Sequence, residues 1–146
     1  MAHLARSKAS LRIFGDDLIP DEVSRLLGCS PTEAWTKGQV KVSRSGKELI
    51  RKSGAWFLKA SDSEPENIDG QVSEIMDQMT SNFEVWATVT QQYEVDLFCG
   101  WFMAVSNEGV SVSAHTMSLL AERGIELSLD IYGPDEENDS GKVESC

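Results

Sequence analysis

Apolar and polar positions alternate in several short stretches of this chain, and that pattern predicts a sheet. The strands that we predict cover residues 7–14, 39–43, 55–60, 93–105 and 125–131. The link between residues 43 and 55 fits either a long hairpin loop or a third short strand. The stretch 93–105 is apolar on both faces at its centre, so we expect an interior strand covered on both sides, with Gly100 as a candidate bulge.

Other stretches repeat their apolar residues at helical spacing. Residues 20–27 open with a proline and two acids and end before a glycine, which are typical start and stop signals of a helix. Residues 68–79 show the same 3.6-residue period. A third helix is predicted from Ser113, a good N-cap residue, to Arg123.

Two short regions are harder to assign. The spacing of apolar residues in 82–92 fits a helix, whereas their β-branched side chains favour a strand, and we predict a helix. Ser30 and Glu33 form a capping box around a proline, so we predict a short helical turn that holds Trp35.

These elements predict one α+β domain in residues 1–132. We expect a mostly antiparallel sheet of about five strands with three or four helices packed on one of its faces. The stretches that end in Leu26-Leu27 and Leu119-Leu120 share the order strand, turn and helix, so the domain is either two related strand–helix halves or two units that are alike only because both are capped helices. Residues 133–146 contain five acids and one base, which predicts an acidic disordered tail.

Charge is sorted along the chain, whose net charge is −11. Residues 37–59 hold seven bases and one acid, whereas residues 60–122 hold 11 acids and no lysine or arginine. Such a balance argues against a nucleic-acid partner and favours either a basic protein partner or solubility alone. The candidate partner-binding residues are the six acids of the linker and helix at 62–77: Asp62, Glu64, Glu66, Asp69, Glu74 and Asp77.

Residues with catalytic or ligand-binding potential are few. The three cysteines lack the spacing of a zinc site or a disulfide scaffold, and phosphate-binding loops are absent, so we expect no metal and no cofactor. His115 near Ser113 is better explained by a capped, solvated helix than by a catalytic pair. No apolar run is long enough for a membrane span and the N-terminus is polar, so we expect a cytoplasmic protein without membrane association.

Trp35 is the most suggestive aromatic residue, because it lies in a short segment among charged residues. Together with Asp16 and Asp17 it could form the mouth of a ligand pocket. The competing interpretation is that Trp35 seals one end of the core, as most large aromatic residues do.

Several landmarks taken together suggest a known family. They are Gly15-Asp16 followed by Pro20, the run from Leu26-Leu27-Gly28 to Pro31-Thr32-Glu33-Ala34-Trp35, the segment Gly54-Ala55-Trp56, and residues 119–132. Over residues 11–132 the chain resembles bacterial domain of unknown function family 4279. The resemblance implies a cytoplasmic bacterial protein of one domain, and it supplies no catalytic residues.

From these observations we expect a non-catalytic protein-binding module. An immunity protein or inhibitor that engages a basic protein partner through an acidic face would fit the size and charge. The alternative is a small-molecule-binding protein or enzyme with a pocket near Trp35, Asp16 and Asp17. The sequence leaves the oligomeric state open.

Overall fold

The computed structural model describes residues 5–134, so the predicted tail lies outside the described residues from 135 onward. Seven strands are present within residues 5–134: β1 (Arg6–Gly15), β2 (Glu33–Trp35), β3 (Val40–Val42), β4 (Glu48–Ile50), β5 (Gly54–Lys59), β6 (Glu94–Phe102) and β7 (Glu126–Tyr132). Four helices accompany them: α1 (Pro20–Leu27), α2 (Ile68–Met76), α3 (Phe83–Gln92) and α4 (Ala114–Glu122). The chain is therefore a single α+β domain, as predicted.

The main sheet has five strands in the order β2-β5-β1-β6-β7. All neighbouring strands are antiparallel except β6 and β7, which are parallel and joined through α4. Strands β3 and β4 form a separate two-stranded hairpin. Of the two possibilities for residues 43–55, the third short strand is therefore the one observed, as β4. Strands β1 and β2 are parallel to each other, because both are antiparallel to β5. The units β1-α1-β2 and β6-α4-β7 therefore share the order strand, helix, parallel strand. A common origin of the two units stays a prediction.

The four helices pack on one side of this sheet, and the alternation in the central strands decides which side chains they cover. Ala9, Leu11 and Ile13 of β1 are buried beneath the helices, whereas the residues between them point to the opposite side. In register with Leu11 and Ile13 lie Leu97 of β6 and Trp56 of β5, which are fully buried too. One continuous apolar core therefore lies between the sheet and the helices.

Helix α2 is joined to β1 through a buried polar contact as well as through apolar packing. The Ser7 hydroxyl donates to Gln71 Oε1 at 2.7 Å, and Gln71 Nε2 donates to the carbonyls of Ser7 and Ser61 at 2.9 Å each. Both side chains are buried, and each finds a partner for its polar atoms. This network fixes the position of α2 along the central strand.

One local prediction is wrong. Residues 33–35 form strand β2 and no helical turn, in spite of the capping-box sequence. The Thr32 amide donates to the Phe57 carbonyl at 2.7 Å, and the Thr32 hydroxyl accepts from the Lys59 amide at 2.9 Å. Pairing with the edge of β5 therefore overrides the local helix signal. The predicted helix at 82–92 is confirmed as α3.

Strand β6 lies inside the sheet as predicted, but helices cover only one of its faces. Val95, Leu97, Cys99 and Trp101 face the core, and the alternate residues face a side with no helix. The expected bulge is absent, because Gly100 pairs in unbroken register with Lys8 on one neighbour and Asp130 on the other. The sequence thus predicts helices on one side of the sheet, as observed, but its expectation that β6 is covered on both sides is wrong.

Candidate functional site

The side of the five-stranded sheet without helices, called here the open face, carries an aromatic layer. The aromatic residues on it come from all five strands: Phe14, Trp35, Phe57, Phe98, Phe102 and Tyr132. All are half-buried except Tyr132, which is exposed. Edge-to-face contacts at 5.4 and 5.2 Å link Phe57 to Phe14 and to Trp35, so the rings near β5 pack on one another.

Arginine side chains lie flat on this aromatic layer. The Arg6 guanidinium lies 4.1 Å from the centre of the Phe102 ring, and that of Arg12 lies 4.2 Å from the centre of Phe98. Arg51, which follows the hairpin, lies 3.7 Å from the centre of the Trp35 ring. Such cation–π contacts stabilise the layer without help from a helix.

Arg12 is held at the centre of the open face by a bidentate ion pair. Its Nε donates to Asp96 Oδ1 at 2.8 Å and its Nη2 donates to Asp96 Oδ2 at 2.6 Å. The hydrogen bond to Asp96 raises the pKa of Arg12, against the opposing effect of partial burial. Because both charges satisfy each other, this pair fits a structural role better than recognition of a ligand.

A small cavity opens on the same face above Gly100. Its volume is about 230 Å³, and it is lined by Lys8, Ala9, Ser10, Lys59, Ala60, Asp62, Phe98, Gly100, Phe102 and Tyr132. The Phe102 and Tyr132 rings stack almost parallel, with centroids 4.7 Å apart and an angle of 8° between the ring planes. The cavity thus combines aromatic walls with two lysines.

The six predicted partner-binding acids do not share one surface. Asp62 lines the open-face cavity, where its carboxylate lies 3.6 Å from the Lys8 ammonium, and Glu64 lines a second cavity beside Arg6. Glu66 and Asp69 line a third cavity of about 260 Å³ near the start of α2. The segment 62–77 therefore runs from the end of the sheet into the helix layer.

Several of these acids hold the fold together. Asp69 Oδ1 accepts hydrogen bonds from the Thr116 hydroxyl at 2.6 Å and from the Ser113 amide at 3.1 Å, which ties α2 to the start of α4. Partial burial alone would raise the pKa of Asp69, but these hydrogen bonds outweigh it and hold that pKa below its ordinary value. Glu74 Oε2 accepts from the Ser61 amide at 2.8 Å. Asp69 and Glu74 thus have local structural roles.

The lysines and arginines are nevertheless unevenly distributed in space, although the strands of the open face also carry the acids Glu33, Glu94, Asp96, Glu126 and Asp130. Of the 12 lysines and arginines in the described residues, four lie on the open face and six in residues 37–52 around the hairpin. Only Arg25 and Arg123 belong to the helix layer, and Arg123 is buried. The four helices themselves contain six acids against the single base Arg25: Asp21, Glu22, Asp69, Glu74, Glu84 and Glu122.

The alternative ligand site is only partly assembled. The Lys37 ammonium lies 3.4 Å from Asp16, which brings residues 16 and 35–37 to one end of the sheet. Asp16 lines a cavity of about 550 Å³, but neither Trp35 nor Asp17 lines it. Trp35 packs against Phe57 on the open face and its Nε1 donates to the Ser53 carbonyl at 3.0 Å, so it does not seal the core that lies between the sheet and the helices.

Three further side chains of reactive types are accounted for by helix capping, by exposure to solvent or by burial in the core. Ser113 caps α4, since its hydroxyl accepts from the Thr116 amide at 3.0 Å, and His115 is exposed. Burial, with a smaller effect of the Asp96 charge, raises the pKa of the core thiol Cys99 to about 12. In residues 5–134 no three His, Cys, Asp or Glu side chains stand close enough together to hold a metal ion. Within the same range no helix is long and apolar enough to cross a membrane.

The sequence does contain a signal for the open face. At the even-numbered positions of β1, between its buried residues, lie Arg6, Lys8, Ser10 and Arg12. Cationic and hydroxyl side chains opposite a buried face indicate a solvated sheet side, whereas Phe98 and Phe102 of β6 suggested a covered one. Strands β1 and β6 are neighbours in the sheet, so the arginines of β1 cover the phenylalanines of β6. This pairing of strands can be seen only in the tertiary structure.

The fold and site thus define a small α+β protein whose sheet carries helices on one side and an aromatic, arginine-rich layer on the other. The model of the domain of unknown function DUF4279 matches residues 5–134, and the chain belongs to that family. Searches of curated proteins and of solved structures found no significant match. The family assignment agrees with the resemblance seen in the sequence.

Proposed function

We propose that this protein is a non-catalytic binding module that engages a basic protein partner through its helix layer. The observation that carries the proposal is the scarcity of lysine and arginine in the helix layer, where Arg25 is the one exposed residue of either kind on helices that hold six acids. A surface of one sign accelerates association with a partner of the opposite sign and makes it sensitive to salt. A bacterial, cytoplasmic immunity protein or inhibitor of a basic enzyme is a class with this behaviour.

The binding residues differ in part from the set that the sequence suggested. Asp69 and Glu74 are held in local hydrogen bonds and Asp62 faces the open side, so they contribute less to this surface. Asp77, which follows α2, and Glu84 are exposed on the helix layer, and so is Glu122, whose Oε1 accepts a solvent-exposed hydrogen bond from the Ser118 hydroxyl of its own helix at 2.9 Å. These three acids are the better contacts for a cationic partner.

The test compares two variants with equal changes of charge on opposite sides of the sheet. Asp77→Lys/Glu122→Lys reverses two helix-layer acids at helix ends, where a lysine suits the helix dipole. Glu94→Lys/Glu126→Lys is the matched control, because both residues are exposed on the open face. The tagged full-length chain and both variants are used to capture partners from a lysate of the source organism, and the affinity of the captured protein is then measured by calorimetry.

We expect the wild-type chain and the control to capture the same basic protein. The helix-layer variant should bind it at least about tenfold more weakly, and a rise from about 50 to about 300 mM salt should weaken wild-type binding. Equal loss of affinity in both variants, affinity that is insensitive to salt, or capture of no basic protein would each contradict the proposal.

A further inference from the structure

Gly100 lies in the interior strand β6, where neither the backbone conformation nor the packing requires a glycine. The four described glycines with positive φ are Gly28, Gly38, Gly46 and Gly124, so Gly100 has a backbone conformation open to other residues. A Cβ atom added there would lie 3.5 Å from the Phe102 ring and 3.8 Å from the Tyr132 ring, which are ordinary contacts. Glycine weakens a strand, and inside one it often marks a place where a ligand approaches the backbone.

Gly100 forms the floor of the open-face cavity, because it has no side chain to fill that space. Opposite Gly100 in register stand Lys8 and Asp130, and along its own strand stand Phe98 and Phe102. Any larger residue at position 100 would grow into the cavity of about 230 Å³ that Lys8, Phe98 and Phe102 line together with Gly100. The glycine therefore accounts for the existence of the cavity.

The charge of this cavity is unusual for such an acidic protein. Lys8 and Lys59 line it against one carboxylate, Asp62. The four other cavities that we compared among residues 5–134 are lined by at least as many carboxylates as cations. Lys8 lies 3.6 Å from Asp62 and Lys59 lies 3.4 Å from Glu33, and both lysine side chains are about half exposed, at 52% and 51%. Exposed pairs of this kind hold their partners weakly, so both ammonium groups can turn to an incoming anion.

We propose that the Gly100 cavity binds a small planar anion, that is, an aromatic or conjugated ring that bears a carboxylate or phosphate. The ring lies over Gly100 between Phe98 and the stacked Phe102–Tyr132 pair, and the anionic group reaches Lys8 and Lys59 at the rim. The volume lies below the usual range for drug-sized ligands, which limits the ligand to one or two fused rings. This site lies on the opposite side of the sheet from the proposed protein-binding surface, so either proposal can fail without the other.

The experiment uses three probes of matched shape and different charge. The ¹⁵N-labelled full-length chain is titrated with 2-naphthoate, with neutral 2-naphthalenemethanol and with cationic 2-naphthylmethylammonium, and amide chemical shifts are recorded. We expect saturable shifts centred on Gly100 and its neighbours for 2-naphthoate, with the cationic probe binding at least about tenfold more weakly. Absence of saturable shifts, shifts centred elsewhere, or equal affinity for the three probes would overturn the proposal.

Variants separate the floor of the cavity from its rim. Gly100→Val fills the floor of the cavity and should lower the affinity for 2-naphthoate at least about tenfold. Gly100→Ala should lower that affinity by a smaller factor. Lys8→Gln/Lys59→Gln should reduce affinity for 2-naphthoate and leave that for the neutral probe unchanged, whereas Lys41→Gln/Lys52→Gln on the hairpin is the matched control. If Gly100→Val does not fold, the alanine and lysine variants decide; wild-type affinity in both of these overturns the site.

Discussion

Replacement of Gly100 by alanine is expected to stabilise the protein, which is unusual for a change inside a central strand. The φ angle at this position is not in the left-handed region, and the added Cβ meets only ring carbons at 3.5–3.8 Å. Alanine restricts the unfolded chain more than glycine does, and at a compatible position this raises the free energy of unfolding by about 0.4–1 kcal/mol. Contact of the new methyl group with the Phe102 ring acts in the same direction.

Gly54 supplies the matched control in the same sheet. A Cβ there would lie 2.7 Å from the Gly15 carbonyl oxygen and 3.0 Å from the Leu18 Cβ, so the backbone of β1 and β5 would have to shift. Such overpacking typically costs about 1–3 kcal/mol. Gly54→Ala is therefore expected to destabilise the protein, although the substitution is chemically identical.

Both variants are measured by equilibrium urea unfolding, followed by the fluorescence of tryptophans such as the fully buried Trp56 and Trp86. We expect a higher urea midpoint for Gly100→Ala and a lower one for Gly54→Ala, with the slope of the transition unchanged in both. A loss of more than about 0.5 kcal/mol in Gly100→Ala would refute it. Position 100 would then require glycine for the fold, and the residue would no longer indicate a ligand.

Two further predictions concern charge and pH. Arg12→Met leaves the half-buried Asp96 without its bidentate partner and should lower the free energy of unfolding, measured in urea, by about 1–3 kcal/mol. The control Lys37→Met breaks only an exposed pair and should change that free energy by no more than about 0.5 kcal/mol. Equal losses in the two variants would contradict the structural role of Arg12. Burial raises the pKa of Cys99 from its ordinary 9.0 to about 12, so the stability that this group contributes is present below pH 9 and lost as the pH rises, because only the unfolded chain ionises there. The difference in unfolding free energy between wild type and Cys99→Ala should therefore shift by about 1.4 kcal/mol per pH unit above pH 9, and a difference independent of pH would show that the thiol is not sealed.

Local chemistry made most of the elements predictable. The alternation around Leu11 and Ile13 identified β1 and its buried face, and the proline, acids and glycine that bracket residues 20–27 identified α1. Ser113 caps α4 as expected, since its hydroxyl accepts from the amide three residues on. These features depend on residues close together in the chain, whose propensities and capping bonds act over one or two turns.

The candidate site depended on contacts between distant residues. In the sequence Asp69 is a candidate surface acid. In the structure the amide of Ser113, which lies 44 residues further on and caps α4, donates a hydrogen bond to it. The aromatic residues of β6 read as a second buried face until β1 placed Arg6 and Arg12 over them. Neither outcome follows from spacing along the chain.

The sequence by itself determined the class of the domain, the approximate elements and the uneven distribution of charge, because periodicity and composition are local properties. Only the tertiary structure decided that residues 33–35 pair with β5 as a strand, that arginines cover the aromatic rings of the open face, and that Gly100 forms the floor of a cavity between lysines and rings. The physical reason is that a sheet joins residues far apart in sequence, so the neighbours of a side chain depend on strand order and register.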